Sequence, residues 1–417
     1  MTINEAQLRY DLAVFIGRFQ IFHNGHLHVI EEALQKARTV LIIIGSANEA
    51  RKPDRLPFTA DERREMIINS ISDTKYQWRS VTETEKTVYA QSIDISDRER
   101  VFIKYAEDFS NMTLWTEQIQ RLVEETVNNL TDSRLFEKAK ITLIGHAKDN
   151  SSFYLKAFPQ WDSINVEQKH ILSATDIRND YFKDWNNIDE YWNRWYTYVV
   201  PTIPKGTLSF LNKFRSTEFY TEICKELRFM ETYLAQWDSV PYKPNFLTVD
   251  NVVIQSGFIL LIQRKSYPGK DLWALPGGHL EQDETVEQGT LRELREETKL
   301  KVPESVLKGS IVATKYFDNP YRSTRRRTLT FATLFHLNPK VPERILSVKT
   351  DGTPNTFSET EEAYRKRVKE ALRLPRVTAA DDAKKAKWVR LDEIRRDQMM
   401  EDHFSIIQTM KAMIKED

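Results

Sequence analysis

Two histidines stand three residues apart in the stretch Gly17-Arg18-Phe19-Gln20-Ile21-Phe22-His23-Asn24-Gly25-His26. The apolar run before them, Leu12-Ala13-Val14-Phe15-Ile16, is too short for a helix and is closed by glycine, so it reads as a buried strand. Behind them Leu27, Ile30, Leu34 and Ala37 recur at helical spacing, with Glu31, Glu32, Gln35 and Lys36 between. The pair therefore sits where a strand ends and a helix begins. A helix start presents unpaired backbone N–H groups and the positive end of the helix dipole, an arrangement that receives phosphate. Gly17 suits a tight strand exit, and Gly25 lets a ligand approach the backbone. Two imidazoles and the Arg18 guanidinium can donate to a phosphorus centre whose negative charge grows during attack. The alternative for the same residues is a helix cap or a pair of surface side chains. The Gly-Arg-Phe-Gln run at a strand end favours chemistry.

A second constellation is acidic. Glu284 follows Gly278 at six residues, and Arg292-Glu293-Leu294-Arg295-Glu296-Glu297 leads on to Leu300. On a helix covering roughly Thr285 to Thr298, Glu293, Glu296 and Glu297 fall at i, i+3 and i+4 and share one face. Like charges so placed repel by roughly a few tenths of a kcal/mol per pair. A hard divalent cation, Mg²⁺ or Mn²⁺, removes that penalty because it favours oxygen ligands. Arg292 is placed to pair with Glu284 and hold the loop, and Gly289 to let the helix approach its sheet. The competing reading, a solvated acidic helix, leaves Gly277-Gly278, Glu284 and Arg292 at fixed offsets without a reason.

A third stretch, Leu172-Ser173-Ala174-Thr175-Asp176-Ile177-Arg178, has hydroxyls that can cap a helix and an arginine about one turn further on, able to reach the same anion. Between the first and third stretches, Thr39-Val40-Leu41-Ile42-Ile43-Ile44-Gly45 and Ile141-Thr142-Leu143-Ile144-Gly145 are further buried strands ending in glycine. Such strands argue for an α/β domain with a doubly wound parallel sheet, in which ligands bind beyond the carboxyl ends of the strands. Ser46-Ala47-Asn48 and His146-Ala147-Lys148-Asp149 fall in that position. Thr59 and Glu62 form a structural capping box for a helix through Met66 and Ile67.

Gly17 to Leu27 resembles the signature of the nucleotidyltransferase superfamily with an H-x-G-H motif. The variant beginning Gly-Arg-Phe-Gln is similar to archaeal-type nicotinamide mononucleotide adenylyltransferases, which usually carry proline where this chain has Ile21. The segment from Ser46 through Pro57-Phe58-Thr59 to Arg63 is similar to the same family. So is the third stretch, with Ala174 at the family's second hydroxyl position. The resemblance implies a Rossmann-like fold and in-line attack of the 5′-phosphate of nicotinamide mononucleotide on the α-phosphorus of ATP, giving NAD and pyrophosphate. It also implies roles. His26 stabilises the α-phosphate with His23 and Arg18 alongside, and Gly17 and Phe19 line the phosphate site. Ser173, Thr175 and Arg178 hold the β- and γ-phosphates, with Mg²⁺ bridging them. Ser46, Asn48, Lys148 and Asp149 contact the mononucleotide.

Gly278 to Leu300 resembles the Nudix box, a loop–helix–loop that hydrolyses nucleoside diphosphates linked to another group within an α/β/α sandwich. That resemblance gives the metal to Glu293, Glu296, Glu297 and the Gly277 backbone, and a structural role to Gly278, Glu284 and Arg292. Lys299 stands where the box usually ends its helix with a left-handed glycine. Lysine there costs about 1 kcal/mol relative to glycine. Downstream, Arg322, Arg325, Arg326 and Arg327 lie in one loop. This resembles the arginine-bearing segment of ADP-ribose pyrophosphatases, which implies ADP-ribose as substrate, with Arg322, Arg325 and Arg327 contacting it and AMP and ribose 5-phosphate as products.

The length of 417 residues asks for two domains. The two resemblances, with the change of pattern between them, imply an adenylyltransferase domain over 1–205, a helical connector over 206–240 and a Nudix domain over 241–417, with Pro241 and Pro244 marking a hinge. The connector carries Ile223, Leu227, Met230 and Leu234 on one stripe, with Cys224 packed beside it. Tyr76 to Thr82 reads as a strand, Trp115 to Val127 as a helix, and the stretch between as an insertion over the site. Tyr181 to Tyr198, rich in Trp and Tyr, closes the first core, and Val199 to Gly206 stops the pattern. In the second half, Val252 to Ile254, Phe258 to Ile262 and Leu329 to Leu334 read as strands. Residues 337–376 read as a polar insertion, Asp381-Asp382-Ala383 with Trp388-Val389 resembles the closing strand of the Nudix fold, and Phe404, Ile407 and Met410 read as a terminal helix.

With 61 basic and 61 acidic residues the net charge is zero, which gives no general pull toward nucleic acid or membrane. Cys224 is the only cysteine, so no intrachain disulfide forms, and a reducing cytoplasm fits. The longest aliphatic run, Val40 to Ile44, is too short to span a bilayer, and the N-terminus lacks a signal-peptide pattern. A homo-oligomer is compatible with all of this. The rival readings are a second domain that senses ADP-ribose without turnover or cleaves another nucleoside diphosphate derivative, and a first domain that transfers cytidylyl groups or uses another phosphate acceptor.

Overall fold

The structure is a computed structural model of the chain and describes residues 8–72, 99–109, 111–130, 139–146, 154–168, 173–183, 193–339 and 360–414. It divides into two compact units, Met1–Arg228 and Phe229–Asp417. No helix among the described residues is long and apolar enough to cross a membrane.

In the first unit the order is β1 (Tyr10–Gly17), α1 (Asn24–Lys36), β2 (Ala37–Ile44), α2 (Ala60–Ser72), β3 (Val101–Tyr105), α3 (Met112–Leu130), β4 (Ile141–Gly145), β5 (Asp162–Asn165), α4 (Ala174–Phe182) and α5 (Lys205–Phe214), and the division at Arg228 falls inside α6 (Glu218–Ala235). The five strands are parallel in the order β3-β2-β1-β4-β5. The period of two along each strand splits its side chains between two cores. Ala13, Phe15, Val40 and Ile42 meet Val29 and Ile30 of α1 on one face, while Leu12, Val14, Leu41 and Ile43 meet Ile119 and Val123 of α3 on the other. This is the doubly wound parallel sheet that the apolar runs predict. Strand order reverses between β1 and β4, which places the ligand crevice beyond their carboxyl ends.

Some expectations change. β3, Val-Phe-Ile-Lys-Tyr with half-buried and exposed positions, is not among the strands read from the sequence. The strand expected over Tyr76 to Thr82 lies outside the described residues. Pro204 and Gly206 do not stop the chain: Pro204 is the N-cap of α5. A Cβ at Gly206 would stand 2.2 Å from the Asn69 carbonyl carbon, so glycine is what lets α5 cross against α2. Cys224 is half-buried beside the core, as packing requires.

The second unit continues with β6 (Phe246–Gln255), β7 (Phe258–Arg264), β8 (Trp273–Ala274), β9 (Gly277–His279), α7 (Val286–Thr298), α8 (Glu304–Gly309), β10 (Ile311–Phe317), β11 (Thr328–His336), α9 (Glu361–Ala371), β12 (Ala383–Arg390) and α10 (His403–Lys411). Its mixed sheet runs β10-β11-β6-β7-β12, with β8 paired to β7 and β9 to β6. Ser256 and Gly257, both at positive φ, make the two-residue hairpin between β6 and β7. Val253 and Leu260 pack under Leu291 and Leu294 of α7, while Val252, Ile254 and Leu261 pack against Ile406, Ile407 and Met410 of α10. Helices thus cover both faces of the sheet, the sandwich the box implied. The segment read as a polar insertion contains α9.

Candidate functional site

At the exit of β1 the backbone is tightly specified. A Cβ on Gly17 would meet the Phe19 ring at 2.8 Å, and Phe19 turns the chain with φ at 51°. The buried Gln20 amide donates to the Phe58 carbonyl at 2.7 Å and accepts from the Phe58 N–H at 3.0 Å. That fastens the loop to the segment before α2. His23 is the N-cap of α1, its Nδ1 accepting from the Gly25 N–H at 3.0 Å, while His26 Nδ1 accepts from the His23 N–H at 3.3 Å. An imidazole nitrogen that accepts carries no proton, so each neutral ring bears its proton on Nε2. The capping reading and the chemical one are therefore compatible. The two rings lie 3.9 Å apart, and His26 packs among Phe15, Phe19 and Phe22. His23 is buried, His26 half-buried, and Arg18 exposed.

The third stretch comes to the same place. Ser173 caps α4, accepting from the Asp176 N–H and donating to its carboxylate at 2.7 Å, whereas Thr175 lies within the helix. Arg178 is buried and donates to the Gln20 carbonyl at 2.7 Å, the Asp54 carbonyl at 3.0 Å and Thr175 Oγ1 at 3.3 Å. It joins the exit of β1 to α4 across 158 residues of sequence. Burial pulls its guanidinium down to about 10. Ser46, at the end of β2, donates to Asp108 at 2.6 Å, and Asn48 Oδ1 is buried without a hydrogen-bond partner among the described residues. Lys148 and Asp149 lie outside the described residues. Thr59 and Glu62 form the expected capping box.

Arg63, to which the sequence gave no role, is 1% exposed. Its guanidinium donates to the carbonyls of Arg18 (2.9 Å), Gly45 (2.7 Å), Ser46 (3.0 Å) and Thr59 (3.1 Å), clamping the exits of β1 and β2 to α2. Burial pulls it down to about 10. The only sequence signal was its place after Glu62 in the Pro57 to Arg63 segment.

In the second unit Thr285 is the N-cap of α7, with Gln288 completing its capping box. Glu293 and Glu297 are buried, and the Glu296 side chain is 44% exposed. The Gly277 N–H donates to Glu297 at 2.8 Å. Arg292 donates to Glu284 through two nitrogens at 2.9 and 2.7 Å, to Glu293 and Glu296 at 2.9 Å each, and to the His279 carbonyl. It thus pairs with Glu284, as its spacing predicts, and also neutralises two of the box carboxylates. A Cβ at Gly278 would lie 2.4 Å from Glu293 Oε1, so glycine leaves room for that carboxylate. One expectation needs correcting: a Cβ at Gly289 would strike Leu280 Cδ1 and Glu284 Oε1, so this glycine admits the box loop, not the sheet. Lys299 takes the left-handed conformation at φ 46° and ψ 35°.

Burial pushes the Glu297 carboxyl up to about 8, with the Glu293 charge adding to the effect, and burial also raises Glu293, with Glu296 and Asp381 adding to it. Among the described residues no three acidic or imidazole side chains converge as a ready-made cation site. The donor set nevertheless fits a hard divalent cation: buried carboxylate oxygens, crowded by like charge, with Gly278 leaving room beside Glu293.

The arginine loop differs from the single basic patch that the sequence suggested. Arg322 is buried and paired with Asp402 at 3.0 and 2.9 Å, with Asp250 at 3.7 Å. Arg326 donates to the Leu234 carbonyl at 2.7 Å and to Asp238 at 3.3 Å, and Arg327 to the Asp318 carbonyl. Arg325 keeps a buried Nε without an acceptor among the described residues.

Residues 14–180 match the Cytidylyltransferase-like family and residues 244–410 the NUDIX domain family. The chain is 33% identical to a nicotinamide/nicotinic acid mononucleotide adenylyltransferase of Acinetobacter baylyi over 221 residues, 53% of this chain and 95% of that protein. It is 47% identical over 60 residues to a nicotinamide-nucleotide adenylyltransferase of Saccharolobus solfataricus, covering 14% of this chain and 34% of that one. Among solved structures it is similar to a bifunctional NMN adenylyltransferase/ADP ribose pyrophosphatase from Francisella tularensis, complexed with AMP and a Mn ion. That likeness has 32% identity and a TM-score of 0.73, over 97% of this chain and 99% of that one. A second structure of the Francisella protein gives a TM-score of 0.72.

Proposed function

Because the chain belongs to the family that joins a nicotinamide mononucleotide adenylyltransferase to a Nudix hydrolase domain, we propose that its first unit makes NAD from nicotinamide mononucleotide and ATP and its second cleaves ADP-ribose to AMP and ribose 5-phosphate. The observation that carries the first half is the histidine pair at the head of α1, with both Nδ1 atoms engaged by the backbone. His26 and His23 present Nε2–H groups to the α-phosphate oxygens as the 5′-phosphate of the mononucleotide attacks in line and pyrophosphate leaves. Adenylyl transfer needs positioned positive charge more than covalent help. Arg18 supplies such charge at the mouth, and Gly17 and Phe19 shape the loop beneath it. Ser173 and Thr175 at the head of α4 face the β- and γ-phosphates, with Arg178 bracing the loop and turning its remaining donors to them. Ser46 and Asn48, after β2, line the mononucleotide side, and Lys148 and Asp149, which follow β4 in sequence, are assigned to it by the resemblance alone.

In the second unit Glu293, Glu296, Glu297 and the Gly277 backbone would hold a divalent cation, which when bound neutralises the diphosphate and acidifies water. Gly278, Glu284 and Arg292 keep those carboxylates in place. Arg325 neutralises substrate phosphate. Arg322 and Arg327 shape the same loop. The ADP-ribose half also draws on the Francisella relative, named as an ADP ribose pyrophosphatase. The test is direct: supply nicotinamide mononucleotide and ATP, then ADP-ribose, each with Mg²⁺ or Mn²⁺, and follow NAD and AMP. AMP release from ADP-ribose is expected. ADP-ribose binding without AMP release would make the second unit a sensor.

A further inference from the structure

The three residues that lead into the box, Leu275-Pro276-Gly277, are held by side chains that lie outside it. The Leu275 N–H donates to His403 Nδ1 at 2.9 Å. The Pro276 carbonyl accepts twice from Asn251, from the backbone N–H at 2.8 Å and from Nδ2 at 3.0 Å. The N–H of the same Pro276–Gly277 peptide donates to Glu297 at 2.8 Å, so that peptide plane is fixed at both ends. A Cβ at Gly277 would stand 2.1 Å from the Val249 carbonyl oxygen, which puts the turn directly on β6. The segment before α10 runs along it too, the Met400 N–H donating to the Trp273 carbonyl at 2.8 Å.

Both outside anchors are buried, His403 at 8% and Asn251 at 0% exposure. Because His403 Nδ1 accepts, its proton sits on Nε2, which faces Asp250 Oδ1 at 3.8 Å. Asp250 in turn accepts from the Thr330 hydroxyl at 2.6 Å and stands 3.7 Å from Arg322, which pairs with Asp402. The imidazole is thus backed by a buried ionic network. Asn251 Oδ1 has no hydrogen-bond partner among the described residues. Apolar side chains of like size would spare the cost of that acceptor, and of burying those charges. What the polar groups give in exchange is a turn held in one place.

We propose that His403 and Asn251 are positioning residues for the divalent cation of the second unit, fixing the turn that carries the Gly277 backbone ligand. Glu297 is tied to the same peptide, so slack in the turn displaces a carboxylate ligand as well. Partners behind the ligands of a metal govern its affinity in this way, on the scale of about 10- to 100-fold. This rests on the reading of the second unit as a metal-dependent hydrolase.

The test is Mn²⁺ binding to the full-length protein without nucleotide, read from the electron paramagnetic resonance of the free ion. Glu297→Gln marks which bound ion belongs to the box. His403→Asn puts an amide oxygen where Nδ1 stands and keeps the Leu275 bond, whereas His403→Gln puts its amide toward Nε2 and loses that bond. His403→Gln is expected to raise the Mn²⁺ dissociation constant about tenfold and His403→Asn to stay within about threefold of wild type. Asn251→Ser, too short to reach Pro276, is expected to match His403→Gln, and it decides the matter if a variant at 403 does not fold. In all three, AMP release at saturating Mn²⁺ stays within about threefold and NAD synthesis is unchanged. Equal Mn²⁺ affinity in the two variants at 403, or wild-type affinity in Asn251→Ser, overturns the positioning role. Mn²⁺ binding that survives Glu297→Gln instead sinks the metal site itself, and with it the reading of the second unit.

Discussion

At the scale of single residues, Arg63 shows how much a site owes to groups that never touch substrate. One planar fork holds four carbonyls from three separate stretches. Lysine, with all its donors on one nitrogen, cannot span them. Arg63→Lys is therefore expected to lower NAD synthesis at least tenfold while AMP release from ADP-ribose stays unchanged; parallel loss of both would point to general unfolding. Lys299 makes an opposite case. Its left-handed backbone was expected because the resemblance puts it where the box usually carries glycine, and the structure holds it at φ 46°. Lys299→Gly should stabilise the second unit by about 1 kcal/mol in denaturant unfolding, and no change would mean the C-cap carries no strain. The box carboxylates were readable because their spacing is itself the signal. Arg63 was not, because backbone carbonyls leave no mark in a sequence.

Elements follow the same division. β1, β2 and β4 announce themselves as apolar runs closed by glycine, since strands buried on both faces have no polar alternation. β3 stands at the sheet edge, and its run Val-Phe-Ile is too short, beside the polar stretch before it, to mark a strand on its own. α5 was hidden by Pro204 and Gly206, read as breakers, though one caps the helix and the other permits its crossing. At that crossing Thr207 and Ser70 bond through their hydroxyls at 3.0 Å, so the two helices cannot part without loss. Gly206→Ala should cost about 1–3 kcal/mol, the usual penalty of overpacking, and lower the melting temperature of the first unit. Unchanged melting would show that α2 and α5 yield readily. Within the box, Gly278→Ala should displace Glu293 and cut AMP release at least tenfold with NAD synthesis intact; full hydrolytic activity would show that the carboxylate has room elsewhere.

For the whole molecule, zero net charge concealed two sites of opposite character, one lined with imidazole and guanidinium groups and one with carboxylates. The contacts divide the chain at Arg228 and Phe229, inside α6, where an uninterrupted helix shows no compositional break. Pro241 and Pro244, which suggested a hinge, stand just before β6. Length gave the number of units, and the resemblance their order. Two active centres on two compact units should fail separately, and one preparation assayed for both reactions decides it. His26→Ala is expected to cut NAD synthesis about a hundredfold, the scale of losing a donor to developing charge, with AMP release from ADP-ribose within twofold of wild type. Glu297→Gln is expected to do the reverse. Joint loss of both activities in either variant, or retention of NAD synthesis without His26, would contradict the account.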